Sequence, residues 1–182
     1  SRNLVSIRLL RSMGIEHALA HAARFGFNPD DLPHNLSLAL GSGAVTPLQM
    51  ASAYAILANG GFRVEPYFIQ RIDDDSGENL FQAEPMTVCR EGSCDTGEEN
   101  PRPTAERVIS PQNHYLMNSM MRDVITHGTG RKARELGRQD LAGKTGTTND
   151  QRDAWFNGFH PSLVAISWVG FDSSQPLGRG EV

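Results

Sequence analysis

A chain of 182 residues is long enough for one domain with a sizeable core, and its formal charge of −4 gives no basic field to attract nucleic acid. The hydrophobic share is 38%, and 18 Gly with 10 Pro signal many turns. No segment approaches the roughly 20 apolar residues that cross a bilayer.

The chain opens on Ser1-Arg2-Asn3-Leu4-Val5, with no initiator Met and no leader pattern. It reads as a piece of a longer polypeptide, with any anchor or export signal expected upstream. Leu4, Val5, Ile7 and Leu10 fall at helical spacing, which predicts a helix over 4–13 that Gly14 stops. Ala18, Leu19, Ala22 and Phe25 repeat the pattern over 16–25, until Gly26 and Pro29 break it. A polar connection then leads to Thr46-Pro47, an N-cap followed by proline at the first helical position. The helix expected over 48–57 is Ala-rich and apolar on most faces, so it should be buried, and Asn59-Gly60-Gly61 should end it.

From Phe62 onward the texture changes. Residues 68–72 and 79–82 flank a polar turn and read as a β-hairpin. Residues 84–106, rich in Pro, Glu, Gly and Thr, read as an exposed loop or insertion. That loop holds the only two cysteines, Cys89 and Cys94. They are either a local disulfide of an oxidising compartment or two thiols in a loop, and a metal site lacks further ligands. Ser110-Pro111 predicts a helix to about Thr126, with Leu116, Met117, Met120, Met121, Val124 and Ile125 as its apolar face, closed by Gly128-Thr129-Gly130. Three strands follow, over 140–147, 154–159 and 163–171, the last two joined tightly by His160-Pro161-Ser162. Helices first and an antiparallel sheet last make an α+β fold of one unit, without internal repeats.

The chemistry concentrates in Lys144-Thr145-Gly146-Thr147, at the end of a predicted strand. Side chains alternate along a strand, so Thr145 and Thr147 point to one face and together can hold one carboxylate, with Lys144 supplying positive charge. Gly146 removes a side chain where a substrate backbone must come close, and an open strand edge can add a peptide as a further strand. The plain alternative is a strand end with a surface Lys and several Thr. A Ser-x-Asn match, Ser1-Arg2-Asn3, stands directly before the first helix, where Ser or Asn could equally be the helix cap.

Ser-x-Asn and Lys-Thr-Gly, in that order, accompany Ser-x-x-Lys in the penicillin-recognising serine enzymes. Here Ser-x-x-Lys is missing. The only lysines are Lys132 and Lys144, and three residues before them stand Thr129 and Leu141. A nucleophilic serine of this kind is therefore expected on an upstream segment.

Longer stretches extend the match: residues 1–8, 38–50, 54–62 and 143–149, then Asp153-Ala154-Trp155-Phe156. With these the chain resembles the class A penicillin-binding proteins over its whole length. The resemblance implies a penicillin-recognising serine transpeptidase (β-lactamase-like) fold, incomplete in this chain. It implies a DD-transpeptidase that cross-links D-Ala-D-Ala stem peptides of peptidoglycan and is acylated by β-lactams. A glycosyltransferase domain and membrane anchor would lie upstream, at the periplasmic face of the inner membrane, among other cell-wall synthesis proteins. By the same resemblance Ser1 relays protons, Asn3 holds the substrate amide, and Lys144 sustains the local electrostatics. Thr145 and Thr147 bind the carboxylate, Gly146 lets the substrate approach, and the Thr147 N–H forms half of an oxyanion hole. No cofactor or metal is required, because the acyl-enzyme retains the energy of the peptide bond.

Two rivals carry the same motifs. A serine β-lactamase adds a base for deacylation, for which no Glu-x-x-Leu-Asn-like stretch is found. A non-catalytic module that binds cell-wall peptide is the other. Three lesser patterns favour structural readings. Asp153 and Trp155 suit packing beside the motif. His17 and His21, at i and i+4, lack a third ligand. Asp73, Asp75 and Glu84 resemble a calcium loop only faintly, because Gly77 falls where a ligand belongs.

Overall fold

A computed structural model describes residues 2–89 and 103–178. Four α-helices carry the first two thirds: α1 (Asn3–Met13), α2 (Ile15–Arg24), α3 (Pro47–Ala58) and α4 (Pro111–Thr126). Between α2 and α3 the chain forms two short 3₁₀ turns, Pro29–Asp31 and Leu36–Leu40, in what the sequence showed only as a polar connection. Strands β1 (Phe62–Arg63) and β4 (Glu106–Arg107) pair antiparallel, as do β2 (Arg71–Asp73) and β3 (Asn79–Gln82). The last part is an antiparallel three-stranded sheet in the order β5 (Ala142–Thr147), β6 (Asp153–His160), β7 (Leu163–Gly170). The α+β architecture thus follows the periodicity, with boundaries shifted by up to three residues, the most at the start of β2.

Local chemistry explains the best-defined ends. Thr46 accepts a hydrogen bond from the Gln49 N–H at 3.1 Å, and the Gln49 side chain accepts one from the Thr46 N–H at 2.8 Å. This reciprocal capping box, with Pro47 at the first position, starts α3 where the sequence placed it. At the other end, the Leu57 carbonyl has no partner in its own helix and meets His114 Nε2 of α4 at 2.8 Å. Ser110 caps α4 by accepting from the Asn113 N–H.

The hairpin forms as expected, but its centre is Asp74. One carboxylate oxygen of Asp74 accepts from the N–H groups of Ser76 and Glu78 and from the Ser76 hydroxyl. The Ser76 hydroxyl bond is the leading cause that holds the Asp74 pKa below its ordinary value. Asp73, the first residue of the calcium-like pattern, accepts from Arg71 Nε at 2.7 Å, which suits the hairpin reading.

The flank of the 84–106 segment is more ordered than its composition implied. Thr87 bridges Thr104, Ala105 is buried and Glu106 begins β4. Residues 90–102, including Cys94, lie outside the described residues; Cys89 is disulfide-bonded.

The core gathers Tyr54, Ile56 and Leu57 of α3, Val108 and Ile109 after β4, and Ala142 and Phe159 of the sheet. Met121, Val164 and Ile166 pack against it. A Cβ at Gly61 (φ +101°) would stand 2.8 Å from Ile109 Cγ1, so only glycine lets the two segments close. Burial of α3 is graded along its length, with Ala53, Tyr54, Ile56 and Leu57 all buried. Ile56 is 1% exposed whereas Leu48 is 43% exposed, so its first turn leaves the core. The apolar residues of α1 divide more sharply: Leu10 is buried, while Leu4, Val5, Leu9 and Met13 are exposed.

Candidate active site

Strand register sets which side chains share a face. Lys144 stands opposite Asn157, Gly146 opposite Trp155 and Ala142 opposite Phe159. Because Ala142 and Phe159 belong to the core, Lys144 begins on the core-facing side. It is half-buried, and desolvation holds its pKa below the ordinary lysine value. Its Nζ donates to the Thr145 carbonyl at 2.6 Å. The alternative of a plain surface lysine does not fit these surroundings.

Thr145 and Thr147 fall on the opposite face from Lys144, one pleat apart, as period-two alternation requires. Their hydroxyls differ in state. Thr145 Oγ1 lies 2.5 Å from Thr129 Oγ1, in the turn after α4. Thr147 is exposed, and its hydroxyl has no partner among the described residues. Gly146 fits closely against Trp155: a Cβ there would stand 3.3 Å from Trp155 Cβ. Among the described residues β5 has a strand neighbour on one side only, which leaves its outer edge available to a further strand.

Just past the motif, the chain turns through Asp150 (φ 60°) and Gln151 (φ 54°), both left-handed and neither a glycine. Thr148 Oγ1 pins this turn by accepting from the N–H groups of Arg152 and Asp153. Asp153 accepts from Trp168 Nε1 at 3.0 Å, and Trp155 lies 6.1 Å from Trp168, ring centre to ring centre. Both residues therefore support the hairpin behind the motif, as packing suggested.

Ser1 lies outside the described residues. Arg2 occupies the N-cap position of α1, and no side chain caps that helix, so Asn3 is not engaged as a cap. Asn3 is exposed, and no hydrogen bond joins it to β5 among the described residues. The strand thus carries Lys144, Thr145, Gly146 and Thr147 and meets Thr129, while no hydrogen bond among the described residues ties Asn3 to them. Thr129 was missed as a site residue because Gly128-Thr129-Gly130 reads simply as a helix stop. A hydroxyl between two glycines was the available signal.

A cavity of about 510 Å³ opens elsewhere, between α4 and the other end of the sheet, with His114, Asn118, Arg122, Asp140 and His160 in its lining. None of Lys144–Thr147 lines it. A pocket is the default place to seek a site, but here the motif's lysine, on one face of β5, and its two threonines, on the other, lie away from the cavity.

The family model described as the penicillin-binding protein transpeptidase domain matches residues 1–171. The chain belongs to the penicillin-binding protein transpeptidase family. Among curated relatives, penicillin-binding protein 1A of Pseudomonas aeruginosa is 45% identical over 214 aligned positions, covering 100% of this chain and 26% of that protein. Penicillin-binding protein 1A of Neisseria lactamica is 46% identical over 179 positions, covering 98% of this chain and 21% of that protein. Among solved structures, penicillin-binding protein 1A from Haemophilus influenzae superposes with a TM-score of 0.88 at 37% identity, covering 99% of this chain and 30% of that one. The chain is thus similar to one part of the 1A-type proteins and spans about a quarter of their length.

Proposed function

We propose that the chain is the substrate-binding and proton-relay part of a peptidoglycan DD-transpeptidase of the penicillin-binding protein 1A type. The carrying observation is Lys144-Thr145-Gly146-Thr147 on an open edge strand, with its lysine half-buried, in a chain of this family. In this reading a serine on a preceding segment attacks the penultimate D-Ala carbonyl of a stem peptide. The C–N bond breaks, terminal D-Ala leaves with the proton delivered to its amine, and an acyl-enzyme remains. An amine of a neighbouring stem then attacks the ester, loses a proton and regenerates the serine.

Each residue has a part. The β5 edge receives the stem peptide as an added strand. Thr145 and Thr147 bind its terminal carboxylate, Gly146 gives its backbone room, and the Thr147 N–H stabilises the oxyanion. Ser1 and Asn3 complete the site from the start of α1 once the preceding segment is in place, Ser1 as proton relay and Asn3 as amide partner. Lys144 lends positive charge in a partly desolvated setting, where it acts over a longer range than in water. β-Lactams enter as carboxylate-bearing mimics of the stem terminus. The complete polypeptide would be anchored at the periplasmic face of the inner membrane, with a glycosyltransferase domain upstream and cell-wall synthesis proteins as partners.

The test is labelling with a fluorescent penicillin. The polypeptide that includes the upstream segment should form a stable adduct, and residues 1–182 alone should form none. Rapid release of the label as hydrolysed drug would favour a β-lactamase. Absence of labelling in the complete polypeptide would favour a non-catalytic peptide-binding module.

A further inference from the structure

Thr129 is held against the Lys-Thr-Gly strand by a turn that admits almost no variation. A Cβ at Gly128 would stand 2.8 Å from Val124 Cα and 2.9 Å from the Val124 carbonyl oxygen. At Gly130 it would stand 2.9 Å from Ile125 Cδ1, and Ile125 is itself only 2% exposed. The Gly130 N–H donates to the Val124 carbonyl at 3.0 Å, folding the turn back onto the end of α4. Two glycines pressed onto one helix end thus fix the residue between them, and that residue places its hydroxyl 2.5 Å from Thr145 Oγ1.

Stability alone does not account for this pair. Thr129 is exposed, and a hydroxyl that water can reach gains little from an intramolecular partner. Its consequence is for the proton of Thr145. A hydroxyl has one proton and two lone pairs, so one proton lies between the two oxygens. If Thr145 donated it, Thr145 would present only lone pairs to an arriving carboxylate and repel it. If Thr129 donates, the proton of Thr145 is free to turn to the anion and is polarised by the hydrogen bond behind it. Thr145 is β-branched and stiff at χ1, so the same contact also selects its rotamer.

We infer that Thr129 is a positioning residue that donates to Thr145 and thereby holds the Thr145 hydroxyl as a hydrogen-bond donor for the carboxylate of the stem peptide or β-lactam. This role rests on the transpeptidase reading above and adds a residue that the Lys-Thr-Gly motif does not contain.

The test compares acylation of the complete polypeptide by benzylpenicillin and by its methyl ester, which lacks the anion. Thr129→Val should slow acylation by the acid roughly three- to tenfold, the worth of one hydrogen bond, and leave acylation by the ester within about twofold. Thr129→Ser should restore the rate with the acid. In a Thr145→Val background, Thr129→Val should have no further effect. Equal slowing of acid and ester, additive effects of the two Val substitutions, or a wild-type rate in Thr129→Val would each overturn the role of Thr129 alone. If Thr129→Val does not fold, Thr129→Ala serves for the same comparison. A wild-type polypeptide that neither reagent acylates would instead overturn the transpeptidase reading, and this role with it.

Discussion

Lys144 and Asn157 stand directly opposite each other on β5 and β6, one a half-buried cation and the other a buried amide that hydrogen-bonds Tyr54 but whose Oδ1 has no partner among the described residues. The lysine does not satisfy that oxygen; its Nζ turns to the Thr145 carbonyl of its own strand. Two polar groups on the core-facing side of the sheet are thus held below their hydrogen-bonding capacity. That arrangement lowers stability, because buried polar groups short of partners lose the hydrogen bonds that water would give them.

The first prediction uses this conflict. Burial holds the Lys144 pKa below its ordinary value of 10.5. Below the lowered pKa both folded and unfolded chains carry the proton, so the full burial cost is present. Between the lowered pKa and 10.5, the unfolded chain binds a proton that the folded chain does not, and stability from this group rises with pH. Lys144→Met removes the dependence. Its denaturant midpoint at pH 7.5 should equal or exceed the wild type's, and the difference should shrink or reverse as pH is raised toward 10. Penicillin acylation of the complete polypeptide should fall sharply in the same variant. A midpoint well below wild type at pH 7.5 would mean that Lys144 stabilises the fold and that its half-burial has been misread.

Two glycines of β5 should behave differently. A Cβ at Gly143 would stand 2.6 Å from the Asn157 carbonyl oxygen, a backbone atom that cannot move without breaking the β5–β6 ladder. At Gly146 it would meet only Trp155 Cβ, at 3.3 Å. Gly143→Ala should therefore cost several kcal/mol (about 2–4) and Gly146→Ala about 1 kcal/mol or less. Thermal melts of the two variants give the order. On the proposed reading Gly146→Ala should still weaken acylation, because it adds a methyl group to the strand proposed to receive the substrate backbone. Full activity in Gly146→Ala would argue that this glycine serves only the contact with Trp155.

Legibility of the fold followed the strength of the local signal. Thr46-Pro47 and Ser110-Pro111 announce helix starts through chemistry confined to a few residues, and both starts fall within a residue of expectation. The β1–β4 pair was not legible, because Phe62–Arg63 and Glu106–Arg107 are two residues each and lie some 40 positions apart. The site divided in the same way. Lys144, Thr145, Gly146 and Thr147 are neighbours on one strand, so their placement follows from period two. The Thr129–Thr145 contact joins a helix stop to a strand 16 residues later, and only tertiary packing creates it. Exposure of Leu4, Leu9 and Leu48 was not legible either, since periodicity identifies an apolar stripe but not what covers it.

A third prediction concerns the helix end that supports the core. His114 Nε2 meets the Leu57 carbonyl at 2.8 Å, and Asn118 Nδ2 meets the same oxygen at 3.3 Å. Asn118 Nδ2 also lies 2.9 Å from His114 Nε2. A carbonyl acceptor requires that Nε2 carry the proton in the neutral ring. Asn118 Nδ2 donates to the same carbonyl, so its 2.9 Å approach to Nε2 is then a close contact of two donors that converge on one acceptor. His114→Phe should cost about 1–3 kcal/mol, since it leaves a part-buried helix-end carbonyl with a weaker donor. His114→Gln, whose amide can still donate, should recover part of that loss. Nitrogen-15 chemical shifts of the His114 ring in the complete polypeptide should report the Nε2–H tautomer. An Nδ1–H tautomer would instead make Asn118 the donor to His114 and leave the Leu57 carbonyl to Asn118 alone.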